Sequence, residues 1–257
     1  MNAPSAIVPP RGPDLRASFN RAAASYREHA AVQKLMAAWL AEWLPERREG
    51  RALELGAGPG VFTEHLVPWP GSLVATDLSA AMCAAGKSVH PDVTWRTMSA
   101  DAPAGGPWNW IFSSSMLQWA AAPAELFAAW RRELAPGGRV LAGLFVGDTL
   151  AELQRCTGEA APLVWRSVDT WREALAGGGL TLLRDTVERR EIVYPSARKM
   201  LRTLHAVGAA PHRRMGPSRL RRLLQAYDRE FAVAGGVRAT WVFYRFEAAA
   251  DDRSGQS

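Results

Sequence analysis

Apolar positions repeat at helical spacing in the first fifth of the chain and then give way to short alternating runs. From Asp14 to about Leu44, Phe19, Ala23, Tyr26, Ala30, Ala37 and Leu40 recur at steps of three, four or seven. This predicts one long amphipathic helix, ended by Pro45 and the charged run ERREG. RALEL (51–55) then reads as a strand, with a helix starting near Gly60. SLVAT (72–76) is a strand with a helix from Ser79, VTWRT (93–97) a strand with a loop after it, and WNWIFSS (108–114) a fourth strand. Leu126, Phe127, Trp130 and Leu134 share one face of a helix over 123–134, and PGG (136–138) turns into the strand RVLAGLF (139–145). Repeated β-α units with short connections imply a parallel sheet covered by helices.

Beyond this point the pattern predicts helices at about 148–158 and 169–176, β-like segments at 180–193, and a last strand TWVFYRFE (240–247). Between the latter two lie two amphipathic helices. Ala197, Met200, Leu201 and Leu204 form one apolar stripe, and Leu220, Leu223, Leu224, Tyr227 and Phe231 the other. The organisation expected is a disordered lead (1–13), an N-terminal helical cover (14–46), a core of 47–193 and 238–248, a helical lid inserted at 194–237, and a disordered tail (249–257).

The 257 residues suffice for one large core or a core with a small subdomain. A net charge of +6 favours anionic partners without choosing among them. The two cysteines, Cys83 and Cys156, lie far apart and lack any companion at metal spacing, so they read as reduced thiols, and no metal site is expected. The N-terminal stretch lacks the apolar core of a secretory signal, and the longest apolar run, VLAGLFVG (140–147), is too short to span a bilayer. A cytoplasmic protein without membrane contact is the expectation.

The chemistry concentrates in RALELGAGPGVFTEHL (51–66). Gly56, Gly58 and Gly60 are spaced G-x-G-x-G between a strand and a helix, where a ligand can approach the backbone closely. A dinucleotide site spaces its last two glycines further apart, and Pro59 removes an N–H donor that an anion would use. Glu54, just before the turn, suits a cation. Asp77 closes the second strand and can accept from both ribose hydroxyls; Asp101 follows the third strand, within reach of an adenine amino group. Three acids at successive strand ends beside this turn point to S-adenosylmethionine, which carries an ammonium and a sulfonium.

LELGAGPG, ATDLSAAM, SADAP and LAPGGRVL together resemble the motifs of the class I S-adenosylmethionine-dependent methyltransferases. The resemblance implies a Rossmann-like α/β fold: a seven-stranded, mostly parallel sheet with a helical cover before it and a helical insertion before the last strand. It also implies cofactor contacts from Glu54, Gly56, Ala57, Gly58, Gly60, Asp77, Leu78, Met82, Asp101, Ala102 and Ser113. Asn109 stands where the family's fourth strand opens with aspartate. FNRAAASYREHAAVQ (19–33), SSSMLQWA (113–120), LAEL (150–153) and MLRTLHAVGA (200–209) narrow the resemblance to the malonyl-carrier-protein O-methyltransferases of biotin synthesis. That family methylates the free carboxylate of a malonyl thioester on acyl carrier protein, a group already ionised at pH 7 and in need of no general base.

Within this reading Tyr26 closes over the cofactor or is a core aromatic, and Gln118 and Trp119 position the acceptor or pack in the core. Arg202 and His205 meet the substrate carboxylate or face solvent. Arg198, Lys199, Arg202, Arg213, Arg214, Arg219, Arg221, Arg222 and Arg229 make the insertion basic, as suits an acidic carrier protein, whereas no nucleic-acid recognition motif is present. Three rivals stand beside it. One is a methyltransferase for another small carboxylate or hydroxyl. Another is a protein like the respiratory complex I assembly factors, which GLFVGDTLAELQ (143–154) also resembles; these act on a partner protein. The last is a cofactor binder without chemistry.

Overall fold

The computed structural model describes residues 13–67, 69–157, 165–207 and 216–250. Five strands form its parallel half: β1 (Ala52–Leu55), β2 (Leu73–Asp77), β3 (Thr94–Thr97), β4 (Trp108–Ser114) and β5 (Leu134–Phe145). With β6 (Leu180–Tyr194), β7 (Ala232–Val233) and β8 (Gly236–Ala250) they make one sheet of order β3-β2-β1-β4-β5-β8-β6, with β7 paired to β8. The pairs among β1 to β5 are parallel, and β8 runs antiparallel to β5, β6 and β7.

Side-chain alternation assigns each strand residue to one of two cores. Leu53, Leu55, Ile111, Val140, Ala142 and Leu144 face one way, under α6 (Pro123–Glu133) and α8 (Val168–Gly177). Ala52, Phe112, Leu141, Phe145 and Phe243 face the other, against α3 (Ala31–Ala41). Both faces being covered, β1 and β2 are buried at every position, Glu54, Thr76 and Asp77 included. Arg245 of β8 ties α3 to the sheet: it lies over the rings of Trp39 and Trp43, donates to the Trp39 carbonyl and pairs with Glu42 at 3.0 Å.

The structure differs from the sequence pattern in four places. The single helix expected from Asp14 to Leu44 is three: α1 (Pro13–Ala22), α2 (Tyr26–His29) and α3. Ala22 and Ala23 pack on Met82, while Val32, Met36 and Leu40 pack in the main core, and one straight rod would not reach both partners. The helix expected from Gly60 is the single turn α4 (Thr63–Leu66), because Gly60 has φ +83° and stays in the turn. Ala135 to Gly138 belong to β5 at a register irregularity opposite Trp108 and Trp110. The last strand runs from Gly236 to Ala250, beyond the limits 238 and 248, so Ala249 and Ala250 are strand rather than tail. Alanine is a weak strand former, yet Ala248 pairs with both β5 and β6 and is fully buried; its neighbours override its propensity.

The lead up to residue 12 and the tail from 251 fall outside the described residues. Between β6 and β8 lie α9 (Ala197–Ala206), α10 (Pro217–Glu230) and β7. Ala197, Met200 and Leu204 of α9 and Leu223 and Tyr227 of α10 are buried, while Leu201 and Leu224 are half-buried and Leu220 is exposed. Among the described residues no helix is long and apolar enough to cross a membrane.

Candidate cofactor and substrate site

The order of the sheet reverses between β1 and β4, since β2 and β3 extend to one side and β4 and β5 to the other. A crevice forms at such a switch point, beyond the carboxyl ends of the strands. The cavity there is partly open and has a volume of about 930 Å³, the solvent at its mouth included. Its floor is the turn after β1, its acids come from the ends of β1, β2 and β3, and its far wall is Ser114, Ser115, Met116 and Trp119 after β4. The N-terminal helices roof it with Phe19, Tyr26 and Gln33, and Phe19 meets the Trp119 ring edge-on at 5.9 Å.

Asp77 organises the floor. Its Oδ2 accepts from the Gly58 N–H at 2.9 Å and its Oδ1 from the Ser79 N–H at 2.8 Å, which locks the glycine turn to the start of α5 (Ala80–Val89). Burial raises the Asp77 carboxyl above the usual range, and these two backbone donors oppose it. Gly56 has φ +71°, and a Cβ there would lie 2.3 Å from Met116 Cγ; at Gly58, with φ +55°, a Cβ would meet nothing within 4 Å. The turn is therefore closed behind Gly56 and open above Gly58, where a ligand can lie against bare backbone.

Glu54 is a second buried acid of the site. It is 1% exposed and accepts from Thr63 Oγ1 at 2.6 Å. Burial pushes its carboxyl up to about 8, the Thr63 bond opposes this, and the charge of Asp77 adds to it. A buried carboxyl beside a second acid is stabilised in its ionised form by a cation. Tyr26 is raised for the same reasons, burial first and then the Asp77 charge. Asp101 is exposed, with Ser99 Oγ at 3.5 Å from it.

The cavity thus brings together Tyr26, Glu54, Gly56, Ala57, Gly58, Asp77, Leu78, Met82, Asp101 and Trp119. Six residues expected in the site do not line it. Gly60 is turned away, with its carbonyl accepting from Arg27 at 3.1 Å. Ala102 is exposed beyond the rim. Ser113 sits one residue too early in β4, so strand alternation buries it and its Oγ donates to the Leu55 carbonyl at 3.0 Å. Gln118 lies behind the wall, its Nε2 donating to the Ser115 carbonyl at 2.6 Å. Arg202 and His205 are exposed because α9 buries Ala197, Met200 and Leu204 at helical spacing and leaves those two on the opposite face.

Sequence reasoning missed Gln33, Phe62, Met98, Ser115 and Met116, which line the cavity. Gln33 had a signal, a polar residue on the buried stripe of α3. Asn109 stands at the opposite end of β4, about 17 Å from Ser114 at strand rise. Its Oδ1 accepts from the Arg51 N–H at 2.8 Å, so it closes a strand start and is remote from any reacting group. Cys83 and Cys156 are free thiols, and no metal-ligating cluster occurs among the described residues.

A family model described as a methyltransferase domain matches residues 26–228. The chain belongs to the S-adenosylmethionine-dependent methyltransferases. This methyltransferase is 29% identical over 262 aligned residues to a malonyl-[acyl-carrier protein] O-methyltransferase of Paenibacillus sp., covering 88% of this chain and 95% of the relative. It is 31% identical to the protein of that name from Chlorobium phaeovibrioides, over 87% and 90% of the two chains. Its fold is similar to that of the YcgJ protein of Bacillus subtilis, with a TM-score of 0.64 at 13% identity over 86% and 99% of the chains. The cavity of the methyltransferase suits its methyl donor: a raised buried carboxyl for a cation, an acid beside the turn for hydroxyls, an open Gly58, and apolar contact from Leu78 and Met82.

Proposed function

We propose that this methyltransferase esterifies the free carboxylate of a malonyl thioester on acyl carrier protein, early in biotin synthesis. One observation carries the acceptor chemistry: the described lining of the cavity contains no histidine, lysine or cysteine, and its three acids, Glu54, Asp77 and Asp101, serve the cofactor in this reading, which leaves no base for the acceptor. An alcohol or amine acceptor would need a group to take its proton, whereas a carboxylate arrives ionised. The names of the relatives support the malonyl thioester.

When bound, S-adenosylmethionine supplies an electrophilic methyl group on a sulfonium. The residues of this chain supply placement. Glu54 balances the cationic end, Asp77 accepts from the ribose hydroxyls while holding the turn, and Asp101 meets the adenine edge. Leu78 and Met82 give the adenosine an apolar bed. Tyr26, Phe19 and Trp119 close the chamber and exclude water. Positioning of this kind accounts for roughly 7–11 kcal/mol of a barrier in favourable cases. A carboxylate held in line with that methyl group would take it directly, the sulfonium leaving as a neutral thioether, and no residue of this chain would have to move a proton.

The carrier protein is acidic, and Arg198, Lys199, Arg202, Arg221 and Arg222 are exposed on α9 and α10. Such a surface steers an acidic partner and weakens with salt. Arg202 therefore belongs to the docking face in this reading, outside the chamber; Arg213 and Arg214 fall outside the described residues. The protein would work in the cytoplasm, where its carrier is made. Intact-mass analysis of malonyl- and acetyl-carrier protein after incubation with enzyme and S-adenosylmethionine tests the proposal. A gain of one methyl group on the malonyl form alone is expected; methylation of both forms or of neither refutes it.

A further inference from the structure

The wall after β4 contains one residue that the cofactor chemistry does not use. Ser115 has φ +58°, in the left-handed region that a serine seldom occupies. Its backbone is held at both ends: its N–H donates to the Gly143 carbonyl at 2.8 Å, and its carbonyl accepts from Gln118 Nε2 at 2.6 Å. Because that carbonyl can only accept, the orientation of the Gln118 amide is fixed. Ser115 lines the cavity, and its Oγ is buried and has no hydrogen-bond partner among the described residues. A strained backbone, a second residue that enforces it, and an unpaired buried hydroxyl all meet at the cavity wall. Unpaired buried donors are costly, and strained residues that persist gather at functional sites.

Topology says which part of the crevice Ser115 borders. Glu54 and Asp77 come from β1 and β2, on one side of the reversal, and Asp101 follows β3 on that same side. Ser115 follows β4, on the other side of β1, beside Met116 and Trp119. The cofactor's charged and hydroxyl groups are served from the first side, which leaves the β4 side to the acceptor.

We propose that the Ser115 hydroxyl donates a hydrogen bond to the acceptor's carboxylate, and that Gln118 is the positioning residue that holds Ser115 in its left-handed conformation. This rests on the carboxylate reading above. The hydroxyl holds one carboxylate oxygen and leaves the other to attack. A single neutral donor orients the anion without the strong pairing that an arginine would impose on the nucleophile.

The test uses the full-length protein with Ser115→Ala, Ser115→Gly and Gln118→Leu. Glycine favours the left-handed region, so Ser115→Gly keeps the fold while deleting the hydroxyl. Methyl transfer to malonyl-carrier protein gives kcat and KM, a titration gives cofactor Kd, and binding of malonyl-pantetheine to the S-adenosylhomocysteine complex is measured without turnover. Both serine variants should lower kcat/KM for the malonyl thioester roughly tenfold and weaken malonyl-pantetheine binding, with cofactor Kd within twofold of wild type; a charged acceptor makes the bond worth that much. Gln118→Leu should move the same quantities in the same direction, again without moving cofactor Kd. A fall in kcat/KM of less than threefold in Ser115→Gly overturns the assignment, as does an equal loss of cofactor affinity, which would make Ser115 a cofactor residue. If wild type itself neither binds nor methylates the malonyl thioester, the acceptor reading fails and this inference with it. If wild type is active and Ser115→Gly matches it, only this inference fails.

Discussion

Cofactor binding should expel a proton from Glu54. In the free protein the Glu54 carboxyl sits at about 8, so at pH 7 about nine-tenths of it is protonated. A cation within about 4–6 Å lowers a carboxyl by roughly 1–3 units. Taking roughly 2 units, the bound carboxyl would titrate near about 6 and be about one-tenth protonated at pH 7. Binding then releases about 0.8 proton at pH 7, and apparent affinity rises about tenfold between pH 7 and pH 9, close to ~1.4 kcal/mol. Calorimetric titration with S-adenosylmethionine in buffers of different ionisation enthalpy counts the protons. Glu54→Gln is the blank, because glutamine can still accept from Thr63 Oγ1 but cannot titrate, and it subtracts the ligand's own amine. Equal proton counts in wild type and Glu54→Gln would refute the placement of a cation at Glu54.

The same group sets a stability profile. Its native value lies above the ordinary 4.5, so the native state holds the proton that the unfolded state gives up, and the cofactor-free protein should lose melting temperature as pH rises from about 4.5 to about 8. Glu54→Gln should flatten that slope in thermal scans. Gly56→Ala and Gly58→Ala should separate packing from binding. The first places its Cβ 2.3 Å from Met116 Cγ and should unfold at markedly lower denaturant. The second adds roughly 1–2 kcal/mol of backbone strain but fills the open cradle, so its cofactor affinity should fall more than its stability. Asp77→Asn must turn an NH2 toward the N–H of either Gly58 or Ser79, at about 1–3 kcal/mol, and a titration should show weaker cofactor binding. Arg27→Ala removes the bonds from α2 to the Pro59 and Gly60 carbonyls and to Glu64, and should speed cofactor release in stopped-flow measurements with little change in kcat.

Local pattern and tertiary structure contributed to different parts of this protein. The sequence alone determined the β-α succession, because short runs of strand character alternate with turn residues and segments of helical period. It also placed Glu54, Asp77 and Asp101 together, since each lies at a strand end and parallel strands bring their carboxyl ends to one edge. Only the tertiary structure decided where the N-terminal helix breaks, because Ala22 and Met36 answer to different cores. It alone put Ser113 in the core and Ser115 in the cavity: these two serines of one SSS run would share a face of a continuing strand, and the left-handed turn at Ser115, just past the end of β4, separates them. It turned Arg202 and His205 outward, because which face of a helix is buried depends on what it packs against. Backbone periodicity is a local property and can be read from residues a few positions apart; the side-chain content of a cavity is set by contacts between residues distant in the chain.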